Sequence, residues 1–222
     1  KPLPYLGIGR EENPSLGVRG YRINSVDAGI LVTQLKALAQ AQAQTGRDVS
    51  VMAPMIATVA EASDFAKLAR GHGINTVGVT VETPSICIVL DQLAGIVDFV
   101  SIGTNDLSQY LFAADRQNSG VAALLNPWQP ALLKTIELIC QQARLAGIKV
   151  GVCGEAAADP LLAVVMAGLG VQSVSMAAPA VTKVMDYLCS ISTQQAEQVA
   201  QAALRGMNPA QAKELALAAL PN

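Results

Sequence analysis

Three short stretches put polar, reactive side chains directly after apolar runs. Thr80-Val81-Glu82-Thr83-Pro84 places a carboxylate there, and Ser101-Ile102-Gly103-Thr104-Asn105-Asp106 an amide and a second carboxylate. Val150-Gly151-Val152-Cys153-Gly154-Glu155 places a thiol and an acid. Arg19 and Arg22 lie in an early apolar segment, and Arg116 follows the Asn105-Asp106 pair. Glu82 and Asp106 suit a hard cation such as magnesium, which takes one or two protein carboxylates and completes its shell with substrate oxygens and water. An arginine beside that ion would hold phosphate or carboxylate as a bidentate fork. No histidine joins the set, which disfavours zinc. The ligand these residues describe is small, multiply anionic and chelated to magnesium.

Each residue also has an ordinary reading. Glu82 before Thr-Pro could cap the following helix, and Asn105-Asp106 are common turn residues. Arg116 could be a solvated loop charge, and Cys153 a small buried filler. At this level Cys153 stays open as structural thiol, metal ligand, nucleophile or acid. What favours chemistry is the repetition, because accidental polar residues would not recur at one edge.

The elements that must position these side chains alternate between strand and helix patterns. Strands are expected at 16–23, 49–55, 76–82, 99–103, 149–155 and 173–177, each short, apolar and rich in β-branched residues. Helical spacing covers 26–45, 58–73, about 84–95, 129–146, about 160–168, 179–190 and 193–219, the last interrupted around Gly206-Met207-Asn208-Pro209. Thr58 followed by Glu61 reads as a capping box, and Gly147 as a helix stop. Residues 104–128 read as irregular. Six such units predict a parallel α/β sheet buried on both faces, with the carboxyl ends of the strands opening onto one crevice. A closed barrel takes eight units, whereas an open doubly wound sheet accepts six. No GxGxxG follows a strand, so a dinucleotide site has no support.

Composition narrows the classes further. Half of the 222 residues are apolar, 14% are charged and the net charge is −2, as expected of a globular chain with one large core. Basic residues do not cluster, which argues against nucleic acid. No apolar run is long enough for a membrane span. The four cysteines form no CxxC pair, so reduced thiols in a cytoplasmic protein are expected. The chain opens on Lys1 without a signal-peptide pattern or an initiating Met, and a piece of a longer protein is expected.

Read together, KPLPYL (1–6), EENPSLGVRGYRI (11–23), MAPMI (52–56), VTVETP (79–84), DFVSIGTNDLSQY (98–110), ADRQN (114–118) and VCGEAA (152–157) resemble the phosphoenolpyruvate-binding domain of enzyme I of the sugar phosphotransferase system. The stretches run in that family's order over nearly the whole chain. The resemblance implies one domain over 1–222, a (β/α)₈ TIM-type barrel lacking its first two βα units and the two arginines they carry. It implies Mg²⁺ held by Glu82 and Asp106, with Asn105, Asp106 and Arg116 at the phosphoenolpyruvate and Arg22 lining the same pocket. Cys153 would deliver a proton to C3 of the enolate as the phosphoryl group leaves for a histidine, releasing pyruvate.

That histidine would belong to a separate N-terminal phosphohistidine domain, which passes the phosphoryl group to a phosphocarrier protein. His72 reads as a loop residue at the opposite end of the fold. A homodimer in the cytoplasm is implied as well. The alternatives are a pyruvate phosphate dikinase or phosphoenolpyruvate synthase-like domain, a pyruvate-enolate lyase, or an inert dimerisation or sensing module.

Overall fold

A computed structural model describes residues 4–221. Its centre is one parallel sheet of β1 (Ser50–Ala53), β2 (Thr76–Val81), β3 (Phe99–Gly103), β4 (Lys149–Cys153) and β5 (Ser173–Ser175). The spatial order β1-β2-β3-β4-β5 repeats the chain order, and every pairing is parallel. Right-handed crossovers between strands laid down in sequence place all the connecting helices on one face.

The side chains divide accordingly. Val77, Val79, Val81, Val100, Ile102, Val150 and Val152 are buried against the helices. The other face carries Gly78, Thr80, Ser101, Gly151 and Cys153, and Gly78 leaves room for the Phe99 ring, which a Cβ there would meet at 2.6 Å.

The helices are α1 (Ala28–Thr45), α2 (Val59–Gly71), α3 (Pro84–Ile88), α4 (Thr104–Leu111), α5 (Pro130–Ala146), α6 (Pro160–Gly168), α7 (Ala178–Cys189), α8 (Thr193–Ala203) and α9 (Pro209–Ala218). Thr58 and Glu61 form the expected capping box on α2, and Gly147 closes α5 at φ 70°. His72 ends α2 before β2 begins, its Nδ1 on the Leu68 carbonyl at 2.9 Å, at the edge opposite the strand ends. α6 is apolar on all sides and packs on α8 so closely that a Cβ on Gly168 would lie 2.0 Å from the Ala196 carbonyl oxygen. Gly168→Ala is therefore expected to destabilise the fold by about 1–3 kcal/mol, because a backbone atom cannot yield as a side chain does. A thermal melt lowered by roughly 2–4 °C per kcal/mol would register it.

Three sequence expectations need correction. Residues 16–23 are not a strand: they turn and enter a 3₁₀ helix over Gly20–Ser25, so the sheet has five strands rather than six. The segment's polar groups are satisfied by side chains and nearby loop carbonyls instead of by a ladder. Val18 N–H donates to Glu11 Oε1 at 2.8 Å, and Arg22 Nη1 donates to the Leu16 and Gly17 carbonyls at 3.2 Å each. Gly20, at φ 57°, supplies the left-handed residue that lets the chain turn.

The second correction is that residues 104–111, expected to be irregular, are helix α4, with Asp106 in the first turn where negative charge is favoured. The third is that the helix expected over 84–95 is two pieces, α3 and a 3₁₀ turn over Leu90–Leu93. β4 and β5 also stop short, at Cys153 and Ser175.

Candidate active site at the carboxyl ends of the strands

Among the described residues, the buried polar or charged side chains are Thr80, Glu82, Thr83, Ser101, Thr104, Ser108 and Gln109. All seven fall in two segments, at the ends of β2 and β3 and on α4. Burying a polar group is unfavourable unless it is satisfied, so their concentration in one place marks a site rather than scattered packing.

Register builds the floor of that site. Val81 pairs with Ile102 and Gly103 with Cys153, so Glu82, Gly103 and Cys153 occupy one row on the face away from the helices. Gly103 is what allows Glu82 to lie across that row: a Cβ there would stand 2.6 Å from Glu82 Oε2. The other carboxylate oxygen accepts the Met55 N–H at 2.6 Å. Met55 adopts φ 60°, a left-handed conformation that costs a residue with a side chain about 1–3 kcal/mol. That strained residue, just past β1, aims its amide at Glu82.

Burial pushes the Glu82 carboxyl above its ordinary pKa; the Met55 N–H opposes that shift and the nearby Asp106 charge adds to it. Asp106 sits on the first turn of α4 between two arginines. Arg19 Nη2 lies 3.2 Å from Oδ2, and Arg116 Nη1 lies 3.7 Å from Oδ1. Asp106 Oδ1 is buried without a hydrogen-bond partner. Two neighbouring carboxylates, one desolvated and the other with an unspent oxygen, are the donor set a hard divalent cation takes. Among the described residues no three His, Cys, Asp or Glu side chains gather as a complete cage. Glu82 and Asp106 fit a cation that takes the rest of its shell from a ligand and water.

Cys153 is half-buried at the end of β4, its Sγ 3.5 Å from the Ile102 carbonyl oxygen. Its own carbonyl accepts the Thr104 hydroxyl at 3.2 Å, which ties β4 to the start of α4. Gly154 follows at φ 112° and packs so tightly that a Cβ would meet Thr104 Oγ1 at 2.6 Å and Asn105 Oδ1 at 3.4 Å. Cys87 and Cys140 are buried thiols, each pushed up to about 12 by burial. A cleft of ≈ 600 Å³ is lined by Thr104, Asn105, Ser108, Arg116, Leu125 and Glu155, and it lies outside the row, since Glu82, Asp106 and Cys153 do not line it.

Gly154→Ala is expected to displace Asn105 and Cys153 together. Ligand affinity should then fall about tenfold, readable by calorimetry, because the glycine is held at positive φ as well as packed.

Glu82, Asn105, Asp106, Arg116 and Cys153 are thus brought to one end of the sheet. Arg22 is placed at the rim with Nη1 committed to the loop carbonyls. The arginine that touches Asp106 from this loop is Arg19. The sequence reading noted Arg19 on the same segment but did not place it in the site. Its signal was available in the glycines at 17 and 20, which mark a turn rather than a strand.

Comparison with known proteins defines the class. The PEP-utilising enzyme, PEP-binding domain family matches residues 1–193, and the chain belongs to that family. A phosphoenolpyruvate-protein phosphotransferase of Streptomyces coelicolor is 45% identical over 221 residues, covering 99% of this chain and 40% of that protein. Its counterpart in Bacillus subtilis is 40% identical over 209 residues, covering 89% of this chain and 36% of that protein. Multiphosphoryl transfer protein 1 of Escherichia coli is 35% identical over 215 residues, covering 91% of this chain and 26% of that protein. The chain spans 40% or less of the length of these relatives.

Proposed function

We propose that this chain is the phosphoenolpyruvate-binding domain of a phosphoenolpyruvate–protein phosphotransferase serving sugar uptake. The observation that carries the reading is the row Glu82–Gly103–Cys153, set beside Asp106 and its unpartnered oxygen. A carboxylate pair and a thiol at one strand edge support a site for one small anion.

Magnesium would be held by Glu82 and Asp106 and would neutralise charge on the substrate's phosphate and enolate oxygens. Arg19 and Arg116 flank Asp106 and supply the cationic walls, Arg22 adds charge at the rim, and Asn105 offers an amide donor. Phosphoryl transfer of this kind rests on positioning and charge neutralisation, which these residues provide. As the phosphoryl group passes to an acceptor imidazole, C3 of the enolate takes the Cys153 Sγ proton and pyruvate results. The thiolate then regains a proton from solvent. A thiol flanked by Gly154 can approach a flat enolate face closely.

The fold we propose is a (β/α)₈ barrel of which this sheet forms five strands. Sequential, all-parallel strand order supports it, as do the small and polar residues on the face away from the helices. Open edges at β1 and β5 would be closed by further strands. The histidine acceptor is assigned to a separate phosphohistidine domain that serves a phosphocarrier protein, and a homodimer in the cytoplasm completes the reading. Among the described residues no helix is long and apolar enough to cross a membrane.

In the natural full-length protein, phosphoenolpyruvate with magnesium should yield pyruvate and phosphohistidine in equal amounts. Arg116→Ala should lower kcat/KM about 100-fold through lost anion contacts. Pyruvate without phosphohistidine would sink the assignment.

A further inference from the structure

The two arginines beside Asp106 arrive on separate loops, and one side chain joins the first of these to the helix carrying Asp106. Tyr110, on the last turn of α4, donates its phenol hydrogen to the Ser15 carbonyl. The same oxygen accepts from Arg19 Nη1 at 3.3 Å, while Arg19 Nη2 reaches Asp106. The Tyr110 hydroxyl also lies 3.8 Å from Met55 Sδ, the sulfur of the residue whose amide holds Glu82.

The loop closes on that residue as well. Tyr21 N–H donates to the Pro54 carbonyl at 3.0 Å, and a Cβ on Gly20 would stand 2.7 Å from Met55 Cβ. Next to Tyr110, Gln109 Oε1 accepts the Arg116 N–H at 3.1 Å. Neighbouring residues of α4 therefore hold both arginine-bearing loops.

We infer that Tyr110 is a positioning residue: its hydroxyl latches the 15–19 loop to α4 and so fixes Arg19 where a bound anion meets Asp106. This rests on the phosphoenolpyruvate reading for the identity of the anion, but the latch itself is a property of the loop. Without the hydroxyl, Arg19 loses one of its two side-chain partners and the Ser15 carbonyl loses its donor. The ring itself remains. Burial raises the phenol pKa, so the group stays a donor through the neutral range.

The test uses Tyr110→Phe, Arg19→Ala and the double variant in the natural full-length protein, with two readouts. Amide exchange should speed up across 15–22 in Tyr110→Phe while β2, β3 and β4 keep their protection. Phosphoenolpyruvate affinity with magnesium should fall about five- to tenfold, the effect of losing one ordinary hydrogen bond. In the Arg19→Ala background the same change should have almost no further effect, because both changes remove one interaction.

Unchanged exchange across 15–22 overturns the latch whatever the ligand proves to be. Equal affinity in Tyr110→Phe, or full additivity with Arg19→Ala, overturns its role in placing Arg19. If the unaltered protein fails to bind phosphoenolpyruvate, the functional reading has failed, and the exchange measurement alone decides the latch.

Discussion

Cys153→Ala is expected to leave phosphoenolpyruvate binding within about threefold of the unaltered protein while pyruvate formation falls about 10²–10⁴-fold, the range for a lost general acid. The side chain ends a strand whose backbone is fixed on both sides by Gly103 and Ser175, so its removal disturbs little besides the thiol. Sγ makes one weak contact, with the Ile102 carbonyl. A loss confined to turnover marks an interaction made in the transition state and not in the ground state. Solvent deuterium entering the pyruvate methyl group should stop with the same substitution. A variant that turned over normally would exclude Cys153 as the proton donor.

Glu82→Gln is expected to do two opposite things. Affinity for phosphoenolpyruvate in the presence of magnesium should drop on the order of 100-fold, about 2.8 kcal/mol, because a neutral amide is a poor ligand for a hard cation. The ligand-free fold should become more stable at neutral pH, since a desolvated carboxylate is replaced by an isostere that still accepts the Met55 N–H.

The sign follows from the raised pKa of Glu82. The folded chain binds this proton more tightly than the unfolded chain. Stability is therefore favoured below the ordinary glutamate range and declines as pH rises from there to the raised value, after which the loss is constant. Glu82→Gln should abolish that decline, which paired thermal melts across the mildly acidic range would measure. Cation affinity runs the other way and should weaken as pH falls into the same window, because the proton and the ion compete for one carboxylate.

Much of this architecture was legible in the residues. Phe99–Gly103 and Pro160–Gly168 have the bounds that β-branched alternation and a proline start indicate. The strand-end placement of Glu82, Asp106 and Cys153 was visible because each closely follows an apolar run.

Two things were not legible, for physical reasons. Residues 16–23 carry a strand-like alternation, and their turn depends on side-chain bonds to the backbone from Glu11, before the segment, and Arg22, within it, which the alternation does not reveal. Arg22 was the arginine of this segment that the family resemblance implied, whereas the one the turn sets against Asp106 is Arg19. Asn105 and Asp106 read as turn residues in an irregular stretch, yet they lie in the first turn of α4. What decides for the helix is the packing of Leu107, fully buried in the core, which local sequence does not reveal.

The central claim is that Glu82 and Asp106 make anion binding depend on a divalent cation. Calorimetric titration of phosphoenolpyruvate into the natural full-length protein, with magnesium and then with chelator, tests it most directly. The account predicts binding at one site per chain with magnesium and none measurable with chelator, with Asp106→Asn matching the chelator result. Equal affinity in the presence and absence of magnesium would contradict it.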